Sequence, residues 1–111
     1  MTFNDYQKAC LSTAQRSESN DLATIMRWTL GLSGEAGEIS EKMKKWLRND
    51  TFDLDEIDRD EMTKERGDVL YYIAVFSHEL GIDFDEVAKM NVTKLASRKK
   101  RGKLYGDGDN R

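Results

Sequence analysis

The sequence predicts an all-α domain, a four-helix bundle-like arrangement, and three observations carry that reading. The chain of 111 residues contains no proline. No segment alternates apolar and polar residues with the period of two that marks a half-buried strand, and long stretches repeat apolar residues at helical spacing instead. A chain of this length is one domain that buries about two thirds of the surface its unfolded form exposes. The domain is expected over residues 1–103, with 104–111, rich in Gly and Asp, as a flexible C-terminal tail.

Thr2 can cap a first helix running to about Arg16, with Phe3, Tyr6, Cys10 and Ala14 as its inner face. The single cysteine, Cys10, cannot form an intramolecular disulfide and reads as a small core residue. Ser17, Glu18, Ser19 and Asn20 make a polar break. A second helix follows from about Asp21 to Arg48, then an acidic connector through Asp60 with room for one short helical turn. That connector lacks the central glycine of an EF-hand loop, which argues against calcium. A third helix runs from about Asp60 to Leu80 and is closed by Gly81. Asp83 and Glu86 have the spacing of a capping box, with Ile82 as a staple, and open a fourth helix that turns Phe84, Val87, Met90 or Asn91, and Leu95 inward.

Helices two and three share an unusual pattern. At about 100° per residue, Trp28, Leu32, Ile39, Met43 and Trp46 form one apolar stripe with Glu35 in its middle, and Glu38 lies about 60° to the side. On helix three Val69, Tyr72, Ile73, Phe76 and Leu80 form a stripe that contains Glu65, with Asp68 flanking it. Neither stripe offers a Lys or Arg at its centre. Carboxylates converging between two helices repel one another, and each costs several kcal/mol to desolvate unless a cation sits among them. An all-carboxylate set suits Mg²⁺, with Mn²⁺ as a substitute, better than Zn²⁺. Gly31, Gly34 and Gly37 recur through the same helix, which points to close helix approach and to space for a ligand.

The spacing Glu35-x-x-Glu38, then Ile39 to Lys64, then Glu65-x-x-Asp68 resembles the E-x-x-E…E-x-x-D signature of the MazG-like nucleotide pyrophosphohydrolases. Gly67-Asp68-Val69-Leu70-Tyr71-Tyr72 is similar to the family's second metal helix, and Asn91-Val92-x-Lys94-Leu95-x-x-Arg98 to its last helix. Many members carry two adjacent acids at the first site, whereas Gly34 precedes Glu35 here. The resemblance implies Mg²⁺ held by Glu35, Glu38, Glu65 and Asp68, and attack of water on the α-phosphorus of a nucleoside triphosphate, giving a monophosphate and pyrophosphate. Either Glu38 or Glu41 would polarise the water. Asn91, Lys94 and Arg98, with Arg101 one turn further on, share a face able to meet phosphates. Trp28, Trp46, Tyr71 or Tyr72 could stack on a base.

The resemblance also implies a homodimer or a dimer of dimers, in line with the broad apolar faces of helices two and three. A net charge of −3 argues against a general nucleic-acid surface. No apolar run approaches the ~18 residues of a membrane span, and Met1 to Asp5 show no secretory signal, so the expected compartment is the cytoplasm. A Glu-x-x-His di-iron site is excluded, because Val75 stands three residues before the single histidine, His78. The rival reading is a non-catalytic helical interaction module with a metal-binding acidic cluster, which explains the amphipathic helices but not acids at stripe centres.

Overall fold

The computed structural model describes residues 1–15, 21–49 and 53–111. It is built from α1 (Phe3–Cys10), α2 (Asp21–Arg48), a 3₁₀ turn at Leu54–Glu56, α3 (Arg59–Glu79) and α4 (Phe84–Lys100), with no strand among the described residues. None of these helices is long and apolar enough to cross a membrane. The main packing is α2 along α3, while α1 lies across α3 and the start of α4. The core joins Cys10, Trp28, Ala74, Val75 and Phe84 from all four helices, with Tyr6, Leu70, Tyr72 and Val87 packed around it.

Buried and part-buried hydrogen bonds tie α1 to α3 and to the start of α4. The Gln7 side-chain amide donates to the carbonyl oxygens of Ala74 (3.0 Å) and Ile82 (3.1 Å), and its oxygen accepts from Phe84 N–H (3.2 Å). Asn4 Oδ1 accepts from Asp85 N–H at 2.8 Å, and Asp85 Oδ1 accepts from Asn4 N–H at 3.1 Å. The orphan amides that begin α4 are therefore capped from α1. This accounts for a departure from expectation: Asp83 is the N-cap residue of α4, but its side chain makes no capping bond. The capping box forms at α1, between Thr2 and Asp5.

Three further expectations are corrected. Helix α1 ends at Cys10, short of Arg16, where Ser12 and Thr13 hydroxyls bond back to the Ala9 and Cys10 carbonyls and compete with the helical ladder. On α3 the buried residues are Met62, Ala74, Val75 and Ser77, and Leu80 is exposed, because this helix is covered on two sides by α2 and α1. On α4 only the first turn is inward: Phe84 is buried and Val87 half-buried, but Met90 and Leu95 are exposed. Beyond that turn the helix extends away from α2, and with the 28-residue α2 the chain is elongated, its radius of gyration 17.2 Å against about 13 Å for a compact chain of ~100 residues. The polar break at 17–20 and part of the acidic connector lie outside the described residues.

Of the three glycines on α2, one has a packing role. A Cβ at Gly31 would lie 2.3 Å from Tyr72 Cε1, so the Tyr72 ring rests directly on the α2 backbone. Nothing lies within 4 Å of the corresponding positions at Gly34 and Gly37, which leaves open space beside the acidic motif.

Candidate metal centre

The α2–α3 packing brings together three of the predicted acids. One carboxylate oxygen each from Glu35, Glu65 and Asp68 lies within 4.8 Å of the other two. Glu35 and Glu65 are half-buried and Asp68 is exposed, so the group sits at the mouth of the seam. Burial, and then the charges of Asp68, Glu65 and Glu38, push the Glu35 carboxyl above its ordinary range. Glu38 is exposed and stands outside the group of three, yet near enough for its charge to act on Glu35. A cluster of hard oxygen donors that crowd one another in this way fits a divalent cation with oxygen ligands.

One basic side chain that the stripe reading missed reaches this group. Lys42 Nζ is 3.3 Å from Glu65 Oε1 and also bonds Glu61, one turn earlier on α3. The hydrogen bond that Lys42 donates to Glu61 leads the effects that hold this lysine's proton more tightly than usual. Glu65 thus has a counter-ion on one side, while the other two acids have none in the ion pairs of the described residues. Tyr6, from α1, braces the other side: its hydroxyl donates to the Gly67 carbonyl at 3.4 Å, next to Asp68. Burial, then Cys10 and the Asp68 charge, raise the Tyr6 phenol well above its usual value.

Lys42 also lines a cleft of about 170 Å³ with Met43, Trp46, Asn49, Ile57 and Met62. Trp46 is half-buried there and its Nε1–H donates to the Asp53 carbonyl at 3.1 Å. The other aromatic candidates are placed differently. Trp28 is buried in the core, its Nε1–H without an acceptor, and its ring centroid is 6.1 Å from that of Tyr72. Tyr72 stacks edge-on with Tyr71. Glu41 is engaged by Lys44 at 2.8 Å and Lys45 at 3.9 Å, and the Lys44 hydrogen bond holds its carboxyl below the ordinary range.

The last-helix residues form a second, basic group. Lys94 and Arg98 share one face of α4, and both pair with Asp109 from the returning segment, at 3.0 Å and 3.3 Å. Arg101 donates to Ser97 Oγ and to the Arg111 carbonyl. Asn91 is exposed and lines a cleft with Lys94 and Asp109.

A family model described as the MazG nucleotide pyrophosphohydrolase domain matches residues 23–102. The gene 37 protein of Mycobacterium phage L5 is 40% identical over 114 residues, covering all of this chain and all of that relative. No solved structure matches the chain.

Proposed function

Because the chain belongs to the MazG nucleotide pyrophosphohydrolase domain family, we propose that it hydrolyses a nucleoside triphosphate to the monophosphate and pyrophosphate in a Mg²⁺-dependent reaction. The observation that carries this reading is the convergence of Glu35, Glu65 and Asp68 from two helices. In the proposal these three hold Mg²⁺, with Glu38 either as a fourth ligand or, in place of that role, as the carboxylate that polarises the water, and Mn²⁺ substitutes for Mg²⁺. When bound, such a cation neutralises a polyphosphate and makes its water more acidic.

The chain's own residues would do the rest. Water forms a bond to the α-phosphorus, the bridge between the α- and β-phosphates breaks, and the water's proton passes to a carboxylate. Glu38 suits the last task better than Glu41, whose proton affinity is lowered by Lys44. Lys94, Arg98, Arg101 and Asn91 are assigned to the phosphates, because charge-assisted bonds from a row of cations match a polyphosphate chain. For the base, Trp46 is better placed than Trp28 or Tyr72, since it faces an open cleft that Lys42 links to the acid group.

We also propose that the working unit is a homodimer or homotetramer. Leu22, Met26 and Leu30 recur at four-residue spacing on α2 and are each at least half exposed, as are Met90 and Val92 on α4. Sedimentation at low micromolar concentration should show no major monomer, and a fully active monomer would refute this.

The test of the reaction is release of pyrophosphate from a panel of ribo- and deoxynucleoside triphosphates, with Mg²⁺ and with chelator, in ¹⁸O-labelled water. Monophosphate and pyrophosphate should appear in equal amounts, only with metal, and the label should enter the monophosphate. Orthophosphate as the product, or turnover that survives chelation, would sink the proposal.

A further inference from the structure

Arg98 is 4% exposed although its helix neighbours Ser97 and Lys99 are exposed. Helix α4 projects from the body at this point, so the residue is covered by the chain's own last segment. Gly102, Gly106 and Gly108 adopt positive φ (68°, 137° and 82°) and fold residues 104–111 back onto the helix. There Arg98 Nη2 donates to the Gly108 carbonyl (3.3 Å), the Asp109 carbonyl (2.7 Å) and Asp109 Oδ1 (3.3 Å). Lys94 Nζ donates to the same carboxylate oxygen at 3.0 Å. Arg111 bonds the Lys103, Leu104 and Gly108 carbonyls and fixes the fold of the segment.

This arrangement satisfies the cations only in part. Arg98 Nε is buried and has no acceptor, so one of the five donors of a fully charged group goes unused. The Asp109 side chain is 82% exposed, so its pairing is that of a surface ion pair, open to competition. A phosphate carries more charge and more oxygens than a carboxylate, and it can take a guanidinium Nε–H and Nη–H together as a fork. A cleft of about 500 Å³ lies on the Lys94 side of the pair, lined by Asn91, Lys94, Asp109 and Asn110 together with Ile82, Val87 and Met90, so a phosphate entering there meets Lys94 first and reaches the buried Arg98 only once Asp109 has moved aside.

We propose that residues 104–111 are an autoinhibitory strap, in which Asp109 occupies the Lys94–Arg98 anion site and is displaced by a polyphosphate. The inference rests on the assignment of Lys94 and Arg98 to substrate phosphates, and adds that the chain supplies its own competitor for them. The strap sets a threshold: the apparent affinity for any phosphate chain is reduced by the fraction of molecules with Asp109 in place.

The experiment uses inorganic tripolyphosphate in chelator, so that neither metal nor turnover enters, with binding followed by calorimetry on the full chain. Asp109→Asn should bind tripolyphosphate about fivefold more tightly than the wild type, the loss of a surface ion pair expressed as affinity. In the wild type, tripolyphosphate should speed amide exchange across 104–111, a readout that needs no variant. Unchanged or weaker binding by Asp109→Asn, or exchange that slows on binding, would overturn the strap. Lys94→Ala separates the two levels of inference. If it binds tripolyphosphate as the wild type does, α4 is not the phosphate site and the assignment beneath the strap fails. If it binds more weakly while Asp109→Asn gains nothing, the phosphate site stands and the strap alone is wrong.

Discussion

The acid group on the α2–α3 seam and the basic row on α4 hold opposite charges and are completed in opposite ways. At the seam, Glu35, Glu65 and Asp68 are set by two packed helices, and among the described residues only Glu65 has a cation paired with it. On α4, Lys94 and Arg98 stand on a helix that leaves the body, and the chain closes them with Asp109 from fifteen and eleven residues away. Moving the two helices apart would unpack Trp28 from Tyr72, so the repulsion among the acids is relieved by side-chain rotation or by a cation from outside. A glycine-hinged segment can leave, so the basic row can be closed by the chain itself and still be opened. Preorganisation belongs to the first region and exchangeability to the second.

The largest effects are expected at the seam. Glu35→Gln and Glu65→Gln should each lower metal-dependent turnover by at least ~10³-fold, since each would remove the charge of a proposed metal ligand. The apo fold should hold. Glu35 adds a pH signature, because its folded-state pKa is raised above the ordinary 4.5 by burial and by Asp68, Glu65 and Glu38. Its contribution to stability is then fully present below about pH 4.5 and is lost as pH rises through the raised value. The difference in unfolding free energy between Glu35→Gln and wild type should therefore grow in favour of the variant as pH rises into the neutral range, and saturating Mg²⁺ should reverse it. Turnover retained by both variants would place the metal elsewhere. A variant that is less stable at neutral pH without metal would mean that Glu35 has a cationic partner.

On α4 the expected effects are smaller. Lys94→Ala should lower kcat/KM by about 10²-fold, near 2.7 kcal/mol, if its charge is used on the phosphates in the transition state. Lys99→Ala, in the exposed last turn of the same helix, should alter stability by a few tenths of a kcal/mol through the helix dipole and leave turnover alone. Both changes remove one lysine from one helix, which holds propensity and net charge constant. Equal, small kinetic effects would show that α4 is only a solvated basic helix.

The two regions also differed in how much of them could be read from the residues. The seam was legible in part, because i, i+3 acid pairs beside apolar stripes fix both face and spacing: the structure brings together Glu35, Glu65 and Asp68 of the four expected acids and leaves Glu38 outside the group. The one omission there, Lys42, had a signal: it lies seven residues after Glu35, two turns along the same face. The helices α2 and α3 lie close to their expected bounds and α4 starts where expected, yet the second buried side of α3, with Ala74, Val75 and Ser77, was missed. A period shows that a helix is covered, and one stripe cannot reveal that two neighbours cover it. Nothing local foretells that Gln7 and Asn4 would cap α4, more than seventy residues on. The return of residues 104–111 onto Arg98 was likewise illegible, since Gly and Asp at a chain's end read the same whether the chain frays or turns.

The smallest effect, and the sharpest test of the contrast, concerns the cation that the seam does possess. Lys42 divides its ammonium between Glu61 and Glu65, so a metal ion bound by Glu65 must compete with it or bear its repulsion. A partly exposed pair of this kind is worth no more than about 1 kcal/mol. Lys42→Met keeps the length of the stem and removes the charge, and Mn²⁺ affinity measured by calorimetry should rise about three- to fivefold. Lys45→Met is the control for net charge, because Lys45 pairs at 3.9 Å with Glu41, away from the acid group, and it should shift the affinity by less. Added salt should erase the Lys45 effect first, since screening acts most strongly on exposed, distant charges. Weaker Mn²⁺ binding in Lys42→Met would reverse the argument: Lys42 would then serve to hold Glu65 in its liganding position, and both regions of the molecule would be completed by the chain itself.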